Sequence, residues 1–259
     1  MRMNIKKCKI KNRKGQKVVV LVEENKKAKG LAFVMHGLSG CKEEPHLEAF
    51  AKAFRDHGYS VIRFDTTNTL GESEGELEKA TLTNYYEDLE DVIKWSSGQN
   101  WYTEPFVLAG HSLGGGSSIL YSEKYPHKVK GLAPISTFIS RKLSFDNYTK
   151  KDLEEWKKKG YHLQESTSKP GLIKKYSWKL MEDLSKYDFL KNVNKLIMPV
   201  LLICGSKDDG IPVKYQKILY NKLPGTKELH IIKDAPHTFT EKKHLDEIKK
   251  IFIEWIKKL

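Results

Sequence analysis

The stretch Gly110-His111-Ser112-Leu113-Gly114 sets one hydroxyl between two glycines, directly after the apolar run Phe106-Val107-Leu108 and ahead of a helical pattern. A strand that ends in G-x-S-x-G and continues as a helix exposes a serine Oγ on a sharp turn, where a substrate can reach it. Glycines on both sides remove the side chains that would collide in so tight a turn. The reading is a nucleophile rather than a phosphate-gripping loop, because a P-loop lysine and G-x-G-x-x-G spacing are both missing.

A serine hydroxyl is a weak nucleophile until a base takes its proton, and the base must be oriented by an acid. Two later motifs supply candidates in the order Ser, Asp, His. Asp208 follows the apolar run "PVLLICG" within "GSKDDGIP", and His237 follows "ELHII" within "KDAPHTF". Asp209 is an adjacent alternative to Asp208, and Asp234, three residues before the histidine, is a weaker one. Acyl transfer also needs donors for the developing oxyanion, each worth about 2.7 to 4 kcal/mol in studied enzymes. The amide of Leu113 is one candidate. The other is the amide of Leu38 in "HGLSG" (36–40), where Gly37 and Gly40 permit close approach and His36 is expected to buttress the loop. His46, His57, His127, His162, His230 and His244 have no such context and read as surface or structural residues.

These residues must be carried to one edge of a sheet. Short apolar runs at 31–37, 59–64, 105–110, 129–136, 199–205 and 228–232 alternate with helical patterns at 43–57, 82–96, 113–124, 213–222 and 242–258. Strands apolar nearly throughout are covered on both faces, so the alternation predicts an α/β fold with a mostly parallel sheet flanked by helices. "KCKIK" and "QKVVVLVEE", joined by "NRKG", predict an opening hairpin. The predicted organisation is one domain over 1–259, with an insertion at 138–187. That insertion should hold a helix over 149–160 capped by Thr149, a hairpin from "YHLQE" and "LIKKY" around "STSKPG", and a helix over 177–186.

Composition narrows the function classes. With 39% hydrophobic and 31% charged residues, and no apolar run near the roughly 18 residues of a membrane span, the chain reads as globular and not membrane-spanning. The N-terminal stretch lacks a secretory pattern, so a cytoplasmic location is expected. Cys8, Cys41 and Cys204 lie far apart without zinc-type spacing, and no metal is expected. The formal charge of +13 comes mostly from scattered lysines, with arginine only at positions 2, 13, 55, 63 and 141. A reader of phosphates or bases would use more arginine, so no nucleic-acid partner is expected. Nothing in the pattern speaks to oligomeric state.

Taken together, "HGLSG", "GHSLGG", "GSKDDGIP" and "DAPHTF" resemble the α/β-hydrolase superfamily over essentially the whole chain. "HGLSGCKEEPHLEAFAKAF", "VIRFDTTNTLGESEGE" and the insertion ending in "KLMEDLSKYDF" resemble the bacterial cinnamoyl/feruloyl esterases. That resemblance implies a small cap over the active site and hydrolysis of small-molecule esters of aromatic or short-chain acids, without metal or organic cofactor. It assigns nucleophile, acid and base to Ser112, Asp208 and His237, and the oxyanion amides to Leu38 and Leu113. The cap offers Trp156, Tyr161, Tyr176 and Trp178 for stacking and Gln164 for hydrogen bonding; the alternative for the aromatics is the cap's own apolar seam. A monoacylglycerol lipase or serine peptidase on the same fold is the other reading. "TTNTLGESEG" departs from the family pattern, which leaves its path open.

Overall fold

A computed structural model describes residues 4–143, 148–166 and 171–259. The chain opens with β1 (Asn4–Lys11), β2 (Lys17–Glu24), β3 (Leu31–Met35), α1 (Pro45–Asp56), β4 (Ser60–Asp65), α2 (Leu82–Ser96), β5 (Phe106–His111), α3 (Leu113–Lys124) and β6 (Val129–Ile135). The inserted part carries α4 (Lys150–Lys159), β7 (Tyr161–Glu165), β8 (Ile173–Ser177) and α5 (Trp178–Leu184). It is followed by β9 (Val200–Gly205), α6 (Val213–Lys222), β10 (Lys227–Ile232) and α7 (Lys242–Ile256).

Eight strands form one sheet in the order β1-β2-β4-β3-β5-β6-β9-β10. The β1–β2 and β2–β4 pairings are antiparallel, and every later pairing is parallel. Every residue of β3, β4, β5 and β9 is buried, as strands covered on both faces require. Alternation within β3 shows the two layers: Phe33 and Met35 join the core under α2 and α3, whereas Ala32 and Val34 join the core under α1 and α7. Across the second layer Phe50 stacks on Phe252 with ring centroids 4.8 Å apart, which adds about 0.5–1.5 kcal/mol to the burial of both rings.

Local signals explain the element ends. Pro45 opens α1, where a missing N–H costs nothing, and Gly58 closes it at φ +85° with its amide on the Arg55 carbonyl. The Thr81 hydroxyl accepts from the Asn84 amide at the start of α2. In α4 Thr149 and Asp152 form a reciprocal capping box, and Gly160 ends the helix in the left-handed conformation.

The inserted segment packs as a lid over the sheet's carboxyl edge. Its neck is the antiparallel bridge Ser140–Asp188, reinforced by the Phe189 amide on the Ile139 carbonyl at 3.0 Å. Asp183 of α5 accepts from the amide and hydroxyl of Thr83 in α2, at 2.8 and 2.6 Å. Trp156, Tyr176, Leu180 and Met181 are buried in the layer that also holds α2 and α3. β7 and β8 pair antiparallel; residues 167–170 of the expected turn lie outside the described residues.

Candidate active site

The turn from β5 into α3 holds Ser112 at φ 53° and ψ −116°, a conformation that costs about 1–3 kcal/mol and persists only when its surroundings fix it. They do so on three sides. The Ser112 amide donates to the Ile135 carbonyl at 2.9 Å, the Ser112 carbonyl accepts from the Thr137 hydroxyl at 2.9 Å, and it also accepts from the Gly116 amide at 3.1 Å. A Cβ on Gly110 would stand 2.4 Å from the Gly114 carbonyl, so the two flanking glycines are a condition of the turn. The Ser112 hydroxyl has no partner among the described residues and opens onto a cavity of about 820 Å³.

His237 lines the same cavity. Its Nδ1 lies 3.0 and 2.9 Å from the two carboxylate oxygens of Asp208, and donating there leaves the lone pair on Nε2 free to accept a proton. Asp208 is buried, and its Oδ1 also accepts from the Ile211 amide at 2.7 Å. Of the rival acids, Asp209 is exposed at the cavity rim, and Asp234 is half-buried and paired with Lys207 at 3.0 Å. Asp234 makes no hydrogen bond to His237 among the described residues.

Leu38 and Leu113 both border the cavity. Leu113 is the first residue of α3, where an amide has no intrahelical acceptor, and among the described residues neither amide donates a hydrogen bond. The 36–40 loop is braced beneath. His36 is fully buried; its Nε2 accepts from the Thr66 amide at 3.0 Å, which puts the ring proton on Nδ1, 2.8 Å from the Gly37 carbonyl. Burial holds this imidazole below its ordinary pKa, in keeping with a ring that accepts from an amide. Tyr85 donates to the Gly37 carbonyl at 3.1 Å.

The segment 66–75 folds back over this loop. Asp65 receives the Lys42 ammonium and amide, each at 2.7 Å, and the Glu72 amide at 2.8 Å, while Leu70 reaches the cavity wall. The lid supplies Trp156, Gln164 and Tyr176 to the wall, together with Tyr148 and Leu180. Tyr161 departs from expectation: it is 38% exposed on the outer face of the β7–β8 hairpin, with the Lys175 ammonium 4.7 Å from its ring, and it does not line the cavity. Period-two alternation turns Tyr161 and Leu163 outward and His162 and Gln164 inward. Trp178 likewise stays off the wall and packs edge-on against Trp156.

Two buried histidines carry no sequence signal that separates them from structural residues. His111 directs Nε2 at the His237 carbonyl, 2.8 Å away, and its ring lies 4.7 Å from the His237 ring. His46, from the first turn of α1, meets the other side of His111 with centroids 4.5 Å apart. Burial, followed by the neighbouring imidazoles, lowers the pKa of both, to about 3 for His46.

Residues 26–180 match the family model described as serine aminopeptidase, S33. An uncharacterised 31.7 kDa protein from the traX-finO intergenic region of Escherichia coli is 26% identical over 261 residues, covering 88% of this chain and 90% of that protein. Human ABHD12B is 25% identical over 189 residues, 72% of this chain and 48% of that protein. Among solved structures, Est1E from Butyrivibrio proteoclasticus with ferulic acid bound superimposes with a TM-score of 0.78 at 19% identity, over 97% of this chain and 98% of that one. Mouse α/β-hydrolase domain-containing protein 10 gives 0.81 at 19% identity, over 98% and 99%. These structural likenesses show the fold. Among the described residues no helix is long and apolar enough to cross a membrane.

Proposed function

We propose, from the premise that the chain belongs to the serine aminopeptidase S33 family of α/β hydrolases, that it is a serine carboxylic-ester hydrolase. The observation that carries this reading is the Asp208-oriented His237, whose Nε2 shares a cavity with the strained Ser112 and with two amides, Leu38 and Leu113, none of these three nitrogens being hydrogen-bonded among the described residues. His237 Nε2 takes the proton of Ser112 Oγ as that oxygen bonds to the ester carbonyl carbon. The resulting oxyanion is held by the Leu38 and Leu113 amides. Collapse breaks the ester C–O bond, His237 protonates the departing alcohol, and water repeats the sequence on the acyl-enzyme to release the acid.

Esters of hydroxycinnamic or short-chain acids are the proposed substrates. The cavity size suits a drug-sized ligand, and Trp156, Tyr176 and Gln164 give its lid wall apolar faces and one amide. The ferulic acid in Est1E supports the aromatic class. A second reading, a serine aminopeptidase, is favoured by the family description and by Glu43, Glu44 and Asp209 on the cavity wall, which suit a substrate amine. A monoacylglycerol lipase on the same triad has no comparable observation behind it.

Hydrolysis of methyl ferulate, p-nitrophenyl butyrate and alanine p-nitroanilide by wild type and Ser112→Ala decides among these. The expected result is turnover of methyl ferulate that falls about 10⁴-fold or more in the mutant. Butyrate cleavage alone would remove the aromatic assignment, and anilide cleavage alone would transfer the triad to the peptidase reading.

A further inference from the structure

His111 touches all three parts of the proposed machinery. It is the residue before the nucleophile, so its backbone shares the strained turn of Ser112. Its Nε2 lies 2.8 Å from the backbone carbonyl of His237. Its Nδ1 faces the 36–40 loop so closely that a Cβ on Gly37 would stand 3.0 Å away. The ring is 3% exposed and held between His46 and His237, with Phe239 meeting its edge at 6.2 Å.

The segment that carries His237 needs such an anchor. It contains two non-glycine residues at positive φ, Asp234 at 58° and Phe239 at 51°, a conformation that persists only where outside contacts impose it. Asp208 restrains the His237 ring, but a ring can be oriented while its backbone shifts. A carbonyl oxygen can only accept, so the contact puts the His111 proton on Nε2. Burial keeps that imidazole neutral, so the one proton stays on one nitrogen.

We infer that His111 is a positioning residue: its Nε2–H, donated to the His237 carbonyl, ties the base-bearing loop to the nucleophile turn and sets the approach of His237 to Ser112. The inference rests on the ester-hydrolase reading for its kinetic consequence and on geometry alone for the tether. Nothing is transferred through His111.

Three variants separate the tether from mere packing. His111→Phe keeps a ring without a donor, His111→Leu removes ring and donor, and His111→Gln returns an N–H at similar reach. The expected kcat on p-nitrophenyl butyrate falls about 10- to 100-fold in the Phe and Leu variants, with KM within about twofold, and recovers most of that loss in Gln. Amide hydrogen exchange over residues 234–239 should quicken in Phe and Leu and stay near wild type in Gln. Wild-type kcat and exchange in the Phe variant would overturn the inference, as would equal losses in Phe and Gln. If wild-type protein hydrolyses none of the esters, the function proposal fails by itself, and the exchange comparison still decides the tether.

Discussion

The Tyr176 hydroxyl, on the lid strand β8, donates to the Ser39 hydroxyl across 3.2 Å and so joins the lid to the loop that carries Leu38. Ser39 sits at φ 57°, one residue past the amide proposed to hold the oxyanion. Burial raises the Tyr176 pKa, which keeps the phenol protonated and donating through the neutral pH range. The contact makes the lid part of the loop's support as well as part of the cavity wall.

Tyr176→Phe should therefore lower ester turnover more than it lowers stability. A neutral hydrogen bond of this kind contributes about 0.5–1.5 kcal/mol, so kcat/KM should drop roughly 2- to 12-fold. Steady-state kinetics beside a urea midpoint test this; unchanged kcat/KM would mean that the loop holds its shape without the lid.

Beneath the same loop, Lys42 and Asp65 form an ion pair at 2.7 Å with both side chains fully buried. Lys42→Met would leave a buried carboxylate with two amide donors and no cation. Removing one partner of such a pair costs about 3–5 kcal/mol, far beyond an exposed pair such as Lys52–Asp56. Chemical denaturation of Lys42→Met against Lys52→Met should show that contrast, and equal midpoints would show that water reaches Asp65.

Acid should weaken the fold from just below neutrality. His36, His46 and His111 are buried with pKa values below the ordinary 6.5, about 3 for His46. Below pH 6.5 the unfolded chain binds protons that the folded chain refuses, so each histidine subtracts about 1.4 kcal/mol per pH unit until its folded value is passed. Glu123 acts in the opposite sense. Burial raises it from 4.5 to about 7, so it adds stability as pH falls across that window, and the raised Asp88 has the same sign. Urea midpoints should therefore fall gently from pH 6.5 to 4.5 and more steeply below. Glu123→Gln should steepen the upper part; an unchanged slope there would show that Glu123 does not titrate in it.

How much of this was legible beforehand follows from how local each signal is. Strand, turn and helix around Ser112 are contiguous, and the six parallel strands lie within two residues of their expected places. Contacts between distant segments are legible only in part: the order Ser, Asp, His names the candidates, but strand alternation alone does not separate Asp208 from Asp209. Asp208 meets His237 because the chain leaving β9 turns that residue inward and leaves its neighbour exposed. In β7 a period of two does not say which face looks inward, and Tyr161, expected to offer its ring for stacking, lies on the outer face. His111 and His46 read as ordinary residues because their partners are set by tertiary packing.

Gly114 offers the sharpest test of the turn that carries Ser112, because two effects oppose each other there. Helix propensity favours alanine over glycine by about 1 kcal/mol, and Gly114 lies in the first turn of α3. A Cβ at that position, however, would stand 2.5 Å from the His36 carbonyl and 2.8 Å from the Met35 Cβ, both held in place by the central sheet. Overpacking of this kind costs about 1–3 kcal/mol, so sterics win and the helix must withdraw, carrying Ser112 with it. Gly116, two residues along, is the control: its added Cβ would meet only side chains, the Phe189 ring at 3.2 Å and Leu82 Cδ1 at 3.3 Å, and no backbone carbonyl at 2.5 Å. Gly116→Ala should keep stability and ester turnover near wild type, whereas Gly114→Ala should lose both. Equal stability and turnover in the two variants would show that the turn does not need its glycine, and the account of why Ser112 is exposed would fall with it.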